Sequence, residues 1–438
     1  MHRVIRGVRY LLWGFAISVI VYIASQNITY IPLMYVQNII DDSHFTIRYA
    51  LNGSDGHKNN DIVIVDIDEN TLRRLGNYRK FIPRVYFGRV IGNLKNDNAR
   101  LIFLDALLKG EDSYTDNIML ADSLKSAGNV FSGFYLKLDP SSKNKRPPDS
   151  VFNERFSNWL GLKNSEKADI LKSEGVAFSY HELIMSSERI GYTNYLPDPD
   201  GVVRHIPLYI LHKRLLFQAI SLEMWQDING FDLYDAKISA RGVVFGETFI
   251  PADKHSFMRI NYEDDEGVYK YVSFIDVLNG NFEKGTFGGK IVMIGSSAPA
   301  MNDIKKIPGY KSLPGVEIHA AALSTMMNER FLNVISGTVT FLLTVLCGIA
   351  ASLFFSHFPT VRNGLPFLLF AWAVLYLSAV CCFFALSLLI NITIPICAMT
   401  VLFALSVISP GVKSKRLKLA RKAQTDNRTL RNIDEAAH

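Results

Sequence analysis

Between Asp41 and Arg330 the chain has no cysteine; its four, Cys347, Cys381, Cys382 and Cys397, fall in apolar runs near the end. The central region therefore has no disulfide staple and no cysteine metal site. At about 290 residues it is long enough to build its own core. Charge is missing from four further stretches. Tyr10–Ser25 carries none, and its apolar character continues toward Val36. Val334–Phe355, Leu365–Leu386 and Leu388–Ile408 are also free of charge. Each is close to the ~20 residues that cross a hydrocarbon core, and the last three have no polar face that would suit a globular helix. The expectation is four membrane segments, at 10–36, 334–355, 365–386 and 388–408. The first is read as an uncleaved anchor, because Ala24–Ser25–Gln26 is a poor small-residue cleavage site.

Acidic residues are scarce outside the middle. Residues 41–330 hold 35 of the 47 basic and 38 of the 41 acidic residues, a net −3, whereas the remaining pieces net +9. Those twelve basic residues are Arg3, Arg6, Arg9, Arg362 and eight from Lys413 onward. All fall on one side of a four-span chain, as the positive-inside bias requires. The expected topology has both termini (1–9 and a basic tail, 411–438) cytoplasmic and 41–330 outside, in a bacterial inner membrane. The basic pI then reflects topology and gives no reason to expect nucleic acid as a partner.

Catalytic signatures are absent as well. There is no nucleophile elbow, zinc-protease helix, Walker loop, kinase signature or cyclase-like aspartate pair in a cytoplasmic segment. No enzyme activity and no cofactor are expected. A transporter is disfavoured, since the spans hold no ionisable residue at mid-membrane depth.

What is present is an alternation of strands and helices. Asp61–Ile67 and Arg100–Leu104 read as strands buried on both faces, as does Lys290–Ile294 later. Glu69–Leu75, Arg84–Asn96 behind Pro83, Asp116–Ser126 and Val316–Met327 read as helices, and Asn129–Leu136 as a further strand. The fold class expected is α/β, a mainly parallel sheet covered by helices, plus four transmembrane helices. Ser141–Ser150 reads as a polar loop, Asn261–Gly267 as an acidic turn, and Asp198–Gly201 as a tight turn closing a hairpin between Gly191–Tyr195 and Val202–Ile210.

Seven blocks in order resemble a type-2 CHASE domain, the extracellular sensory module of bacterial cyclases, histidine kinases and Ser/Thr kinases. They are IVIVDIDENTLRRLG (Ile62–Gly76), PRVYFGRVIGNLKNDNARLIFLDALL (Pro83–Leu108), GYTNYLPDPDGVVRHIPL (Gly191–Leu208), RINYEDDEG (Arg259–Gly267), SFIDVLNG (Ser273–Gly280), GGKIVMIGSSAPAMND (Gly288–Asp303) and PGVEIHAAAL (Pro314–Leu323). The resemblance covers roughly Asp41 to Arg330 and the three following membrane segments. The chain departs from the family's pattern at Tyr78–Arg84, where a Trp-rich turn is usual, and at Glu263, where Arg is common. It also has about 28 residues after the last apolar run, where the family continues into an output domain. In that tail Val412, Arg416, Leu419, Ala423, Asp426, Leu430 and Ile433 recur at coiled-coil spacing, beside a basic stretch suited to an anionic leaflet.

In open parallel sheets ligands sit beyond the carboxyl ends of strands. The candidate ligand residues there are Asp66, Asp68, Asp105, Ser296 and Ser297, with Arg84 and Arg204 as pairing partners. Two or three carboxylates on one rim suit a cation or an amine, and equally suit helix capping, the plainer reading for Asp68. His319 has no second ligand at metal spacing and reads as a core or surface histidine; no metal site is expected. The leading reading is a sensor for an unknown small ligand or envelope component, passing its signal to a kinase or cyclase in trans, with a homodimer as a further candidate assembly. An envelope structural or assembly protein, and a membrane-anchored hydrolase, are the alternatives.

Overall fold

Ile62–Val65, Leu101–Leu104 and Ile291–Ile294 are each exposed by 3% or less, on both faces of their strands, and they lie side by side. The computed structural model describes residues 2–27, 30–52, 59–75, 82–108, 114–138, 169–212, 215–232, 235–263, 267–358 and 360–408. The Ser141–Ser150 loop, most of the Tyr78–Arg84 turn, the centre of the Asn261–Gly267 turn and the tail from residue 411 lie outside them. The chain forms two units, one of Met1–Asp41 with Asn333–His438, the other of Asp42–Leu332.

In chain order, α1 (His2–Ser25) and α2 (Tyr30–Asn52) precede β1 (Asn59–Asp66), α3 (Glu69–Leu75), α4 (Arg84–Asn96), β2 (Leu101–Leu104), α5 (Tyr114–Ala127) and β3 (Val130–Lys137). Next come β4 (Gly175–Ala177), α6 (His181–Ser186), β5 (Arg189–Tyr192), β6 (His205–Pro207), α7 (Ile220–Asn229), β7 (Phe257–Arg259), β8 (Tyr269–Ser273), α8 (Phe274–Asn279) and β9 (Ile291–Gly295). The hairpin β10 (Ile304–Ile307) and β11 (Lys311–Pro314) leads into α9 (Gly315–Met327). The last elements are β12 (Asn333–Val334), α10 (Gly337–His357), α11 (Val361–Leu386), β13 (Leu388–Leu389) and α12 (Thr393–Ile408).

The main sheet of the α/β unit runs β8–β1–β9–β2–β3, with β5 parallel and β4 antiparallel to β3; all its other pairs are parallel. Alternate residues face opposite sides. Val63, Val65, Ile102, Leu104, Val292 and Ile294 pack with Phe87, Val90, Ile91 and Leu94 of α4 and Leu120 and Leu124 of α5. Ile62, Ile64, Leu101, Phe103, Ile291 and Met293 fill the other face, where α9 lies against β1 and β9. The β-branched runs thus form the centre of the sheet because both faces are covered, the situation in which a strand needs no polar alternation.

One sequence expectation fails here. The turn at Asp198–Gly201 forms, with Gly201 N–H donating to Asp198 O at 2.8 Å, but its arms do not make a hairpin. β5 is taken by β3, and β6 pairs instead with β7. Backbone groups that find partners elsewhere leave none for a local ladder.

In the helical unit, α1 and α10 meet through small residues spaced four apart, Gly14 and Ser18 against Gly348 and Ser352. A Cβ on Gly14 would stand 2.8 Å from Ile349 Cα, and one on Gly348 would overlap Ser18 Oγ. Ser352 Oγ donates to Tyr10 O at 2.8 Å and Tyr22 Oη to Gly337 O at 2.9 Å. Close backbone approach of this kind is how apolar helices associate where hydrophobic burial gives no preference.

Among the described residues three helices, with spans Val8–Ser25, Gly337–His357 and Val361–Leu386, are long and apolar enough to cross a membrane. Two sequence-read segments are not single helices. The 10–36 run breaks after Ser25, and a new helix starts at Tyr30. The 388–408 run opens with β13, which pairs with β12, and is helical only from Thr393. Gln37 on α2 fixes that second break: its Oε1 accepts from Ile392 N at 3.1 Å, Thr393 N at 3.2 Å and Thr393 Oγ1 at 2.9 Å. It satisfies amides that the first turn of α12 leaves without helical partners.

Candidate functional site

The strand order places the carboxyl ends of β1, β9 and β2 next to one another, with Asp66 opposite Gly295 and Leu104 opposite Ile294. The polar residues that follow these strands share a rim, but they do different jobs. Asp66 is spoken for: Ser297 donates its N–H to Oδ1 at 2.8 Å and its hydroxyl to Oδ2 at 2.5 Å. Burial raises the Asp66 carboxyl pKa, and the two Ser297 bonds oppose the rise. Ser296 Oγ donates to Ile67 O at 2.8 Å, which ties the β9 loop to the end of β1. Asp68 Oδ1 accepts from Thr71 N at 2.7 Å, the bond of an N-cap, at the start of α3.

Neither arginine pairs with a rim carboxylate, contrary to the sequence expectation. Arg84, at the first residue of α4, is fully buried; its Nη1 donates to Asn117 Oδ1, and its guanidinium lies over the Tyr180 ring, 4.6 Å from the centroid. Tyr180 Oη donates to Asn117 O at 2.8 Å, so the contact joins α4, α5 and the start of α6. Arg204 is held by Asp42, Asp198 and Asp200. Both arginines are engaged by partners away from the rim, Arg84 by Asn117 and Arg204 by Asp42, Asp198 and Asp200.

Asp105, directly after β2, is different. It is half-buried, and among the described residues its carboxyl has neither a hydrogen bond nor an ion pair. Desolvation, with Asp303 close enough to add repulsion, pushes its pKa up to about 8. Asp303 precedes β10. Its Oδ1 accepts from Tyr195 Oη at 2.7 Å and is 3.1 Å from Lys305 Nζ. Asp303 also rests on Gly315, the first residue of α9, where a side chain would collide with its carboxylate. His319 lies one turn further along α9, on the same face as Gly315. It is 1% exposed, between Phe103 (ring centroids 5.8 Å) and Tyr195 (6.1 Å). Its ring meets the Thr193 backbone, and Nδ1 has no hydrogen-bond partner. Burial pushes the imidazole down to about 4 against the pull of Asp303, so it is neutral at ordinary pH. Burial, followed by Asp303, raises the Tyr195 phenol.

Asp303 is thus the common neighbour of Asp105, Tyr195 and His319, of which only Asp105 follows from the rule about strand ends. Tyr195 and Asp303 stand inside quoted sequence blocks, and no local pattern sets them apart. Sequence spacing leaves His319 as a plain histidine; the structure makes it a buried one, beneath Asp303. Among the described residues no group of three or more His, Cys, Asp or Glu has metal-binding geometry.

The profile described as the CHASE2 domain matches residues 15–354. No curated protein and no solved structure matches the chain. The matched span includes the whole α/β unit, with every strand of the rim and the α9 helix beneath it. The chain belongs to the CHASE2 family, a family of sensory extracellular domains.

Proposed function

We propose that this chain is a membrane-anchored extracytoplasmic sensor, in which the α/β unit receives a ligand or an envelope condition and the apolar helices relay the change to a separate cytoplasmic output protein. In this reading the α/β unit lies outside a bacterial inner membrane. Four segments span it, α12 being the short last one, and both termini are cytoplasmic, following the distribution of basic residues.

The observation that carries the reading is the route from the Tyr195–Asp303 pair to α2. Tyr195 lies three residues before Asp198, and Arg204 gathers Asp198 and Asp200 together with Asp42 of α2. Asp303 takes a parallel route: the backbone carbonyl of Lys306, three residues further on, accepts from Val203 N at 2.8 Å, beside Arg204. A stimulus that shifts Tyr195 or Asp303 acts on the residues that hold α2, and α2 follows the N-terminal apolar helix in sequence. Such coupling requires two states that the stimulus distinguishes.

Cross-linking and affinity capture, with the full chain and with a chain ending at Gly411, test this. A kinase, cyclase or regulator recovered only with the tail intact is the expected result. Exported proteins captured equally by both forms, with no tail-dependent partner, would overturn it in favour of an envelope-binding protein.

A further inference from the structure

We propose that the cavity at the amino ends of β8, β1 and β9 binds a phosphate monoester of a small polyol or sugar. It lies at the opposite end of the sheet from Asp66 and Asp105, and the assignment does not depend on the sensor reading.

The cavity measures about 500 Å³, a volume within the ~300–1,000 Å³ of small-molecule sites. It opens where the β1–β8 ladder is interrupted. Asn59 faces Tyr269 and Val63 faces Lys270, so Asn60, Asp61 and Ile62 have no counterpart on β8. Asn59 holds the chain in that excursion, its Oδ1 accepting from Asp61 N at 2.9 Å and Ile62 N at 3.2 Å. Extra residues on one strand of a pair bend it and re-aim the side chains beside the break.

Three lysines line the opening, Lys270, Lys284 and Lys290. Lys270 stands opposite Val63, and Lys290 precedes Ile291, which is opposite Ile62. By alternation both fall on the face of the sheet that Val63 occupies. The Lys290 backbone is fixed from two sides, donating to Phe287 O at 3.0 Å and accepting from Arg100 N at 2.9 Å. Lys284 comes from the turn between α8 and β9, together with Glu283 and Thr286.

Three lysines against Glu283 leave the lining with two positive charges. Among the described residues none of these lysine side chains has an ion pair or a hydrogen bond. Asp97 meets the same turn, but its two oxygens are taken by Gly285 N at 2.6 Å and Phe287 N at 2.8 Å. A cleft lined mainly by one sign of charge concentrates its counter-ion. Ammonium groups are point charges without the planar fork by which arginine matches a carboxylate, and several around one cavity suit the terminal oxygens of a phosphate. The amide of Asn60 and the hydroxyl of Thr286, also without partners among the described residues, serve hydroxyl groups on the ester. Val63 supplies little apolar wall, which disfavours an acyl chain or an aromatic ring.

The test is calorimetric titration of the full chain, in nanodiscs of zwitterionic lipid, with glycerol 3-phosphate and glucose 6-phosphate. Glucose 6-sulfate, glucose, inorganic phosphate and succinate are the comparisons. Expected are saturable binding of at least one phosphate ester, tighter than glucose 6-sulfate, and an affinity that falls with added salt. Lys270→Gln and Lys290→Gln should each weaken binding about tenfold or more with melting temperature retained, and Lys270→Arg should weaken it less. Glu283→Gln, which removes the opposing charge, should tighten it severalfold. Three results overturn the assignment: no saturable binding of either ester, succinate or inorganic phosphate bound as tightly as the esters, or binding indifferent to both lysine-to-glutamine variants. None of them touches the sensor reading, which falls only with the lack of a tail-dependent partner.

Discussion

Arg204 grips both carboxylate oxygens of Asp42, Nε to Oδ1 at 2.9 Å and Nη2 to Oδ2 at 2.7 Å. The same guanidinium donates from Nη1 to Asp198 at 2.6 Å and from both Nη atoms to Asp200, at 3.0 and 2.8 Å. One cation, 3% exposed, thus holds three carboxylates, one of them on α2 and two on the turn after Tyr195. Burial is the largest influence on Asp42 and raises its pKa; Arg204 works against that rise. The three carboxylates themselves hold the Arg204 proton firmly, despite desolvation.

Arg204→Met is expected to destabilise the α/β unit by about 3–5 kcal/mol near neutral pH, because it strands buried charge instead of merely removing a pair. Without the guanidinium the carboxyl pKa values move up, so the folded form takes up protons that the unfolded chain does not. The penalty should therefore shrink as pH falls toward about 4. Melting of variant and parent at both pH values measures it, and an equal gap at the two would contradict this account.

Glu223 on α7 is 4% exposed and 3.7 Å from Arg189 Nη1, too far to offset its burial. Desolvation pushes its carboxyl up to about 8. A raised carboxyl contributes stability that is complete below the ordinary carboxyl range and lost as pH rises to about 8. Glu223→Gln should consequently raise the melting temperature by several degrees near pH 9 and change it little near pH 4. The pH dependence of the difference is the readout.

Gly315 is where Asp303 touches the start of α9, and an added methyl would strike the carboxylate. Gly315→Ala should cost about 1–3 kcal/mol through that overlap. Adding Asp303→Ala removes the clash, so the double variant should be less destabilised than the sum of the singles. Additive losses would mean that the two groups do not meet.

Tyr22 and Phe341 place their rings 5.1 Å apart across the α1–α10 contact. Cysteines at these two positions, in a background cleared of the native four, should form a disulfide under mild oxidation. Gly348→Leu, which drives a side chain into Ser18, should lower that yield severalfold, and Gly348→Ala should lower it less. A yield indifferent to residue 348 would argue against the close crossing.

Much of the fold was readable because composition constrains it directly. Ile62–Val65 and Ile291–Ile294 have no polar alternation, and only a strand covered on both faces tolerates that. The helix Arg84–Asn96 was readable to the residue, since Pro83 marks its start and Val90, Ile91 and Leu94 its buried side. The Asp198–Gly201 turn was readable as a turn but not in its pairing. Local chemistry fixes a turn, whereas strand partners are chosen by whichever backbone is brought alongside.

The candidate site was readable only in part. Asp66, Asp105, Ser296 and Ser297 follow from their places after strands, and the rim they share is real because β9 inserts between β1 and β2. Asp303, Tyr195 and His319 come from three separate segments, and no spacing in the chain relates them. The sequence alone determined that the chain has apolar helices at both ends, a cysteine-free α/β region between them, and carboxylates after its strands, because composition and periodicity act locally. The tertiary structure decided which carboxylates are satisfied and which is not. Asp66 meets Ser297 across two neighbouring strands, Arg204 is drawn to Asp42, and Asp105 is left without a hydrogen bond or ion pair among the described residues, since a charge is settled by the groups that folding brings within hydrogen-bond reach.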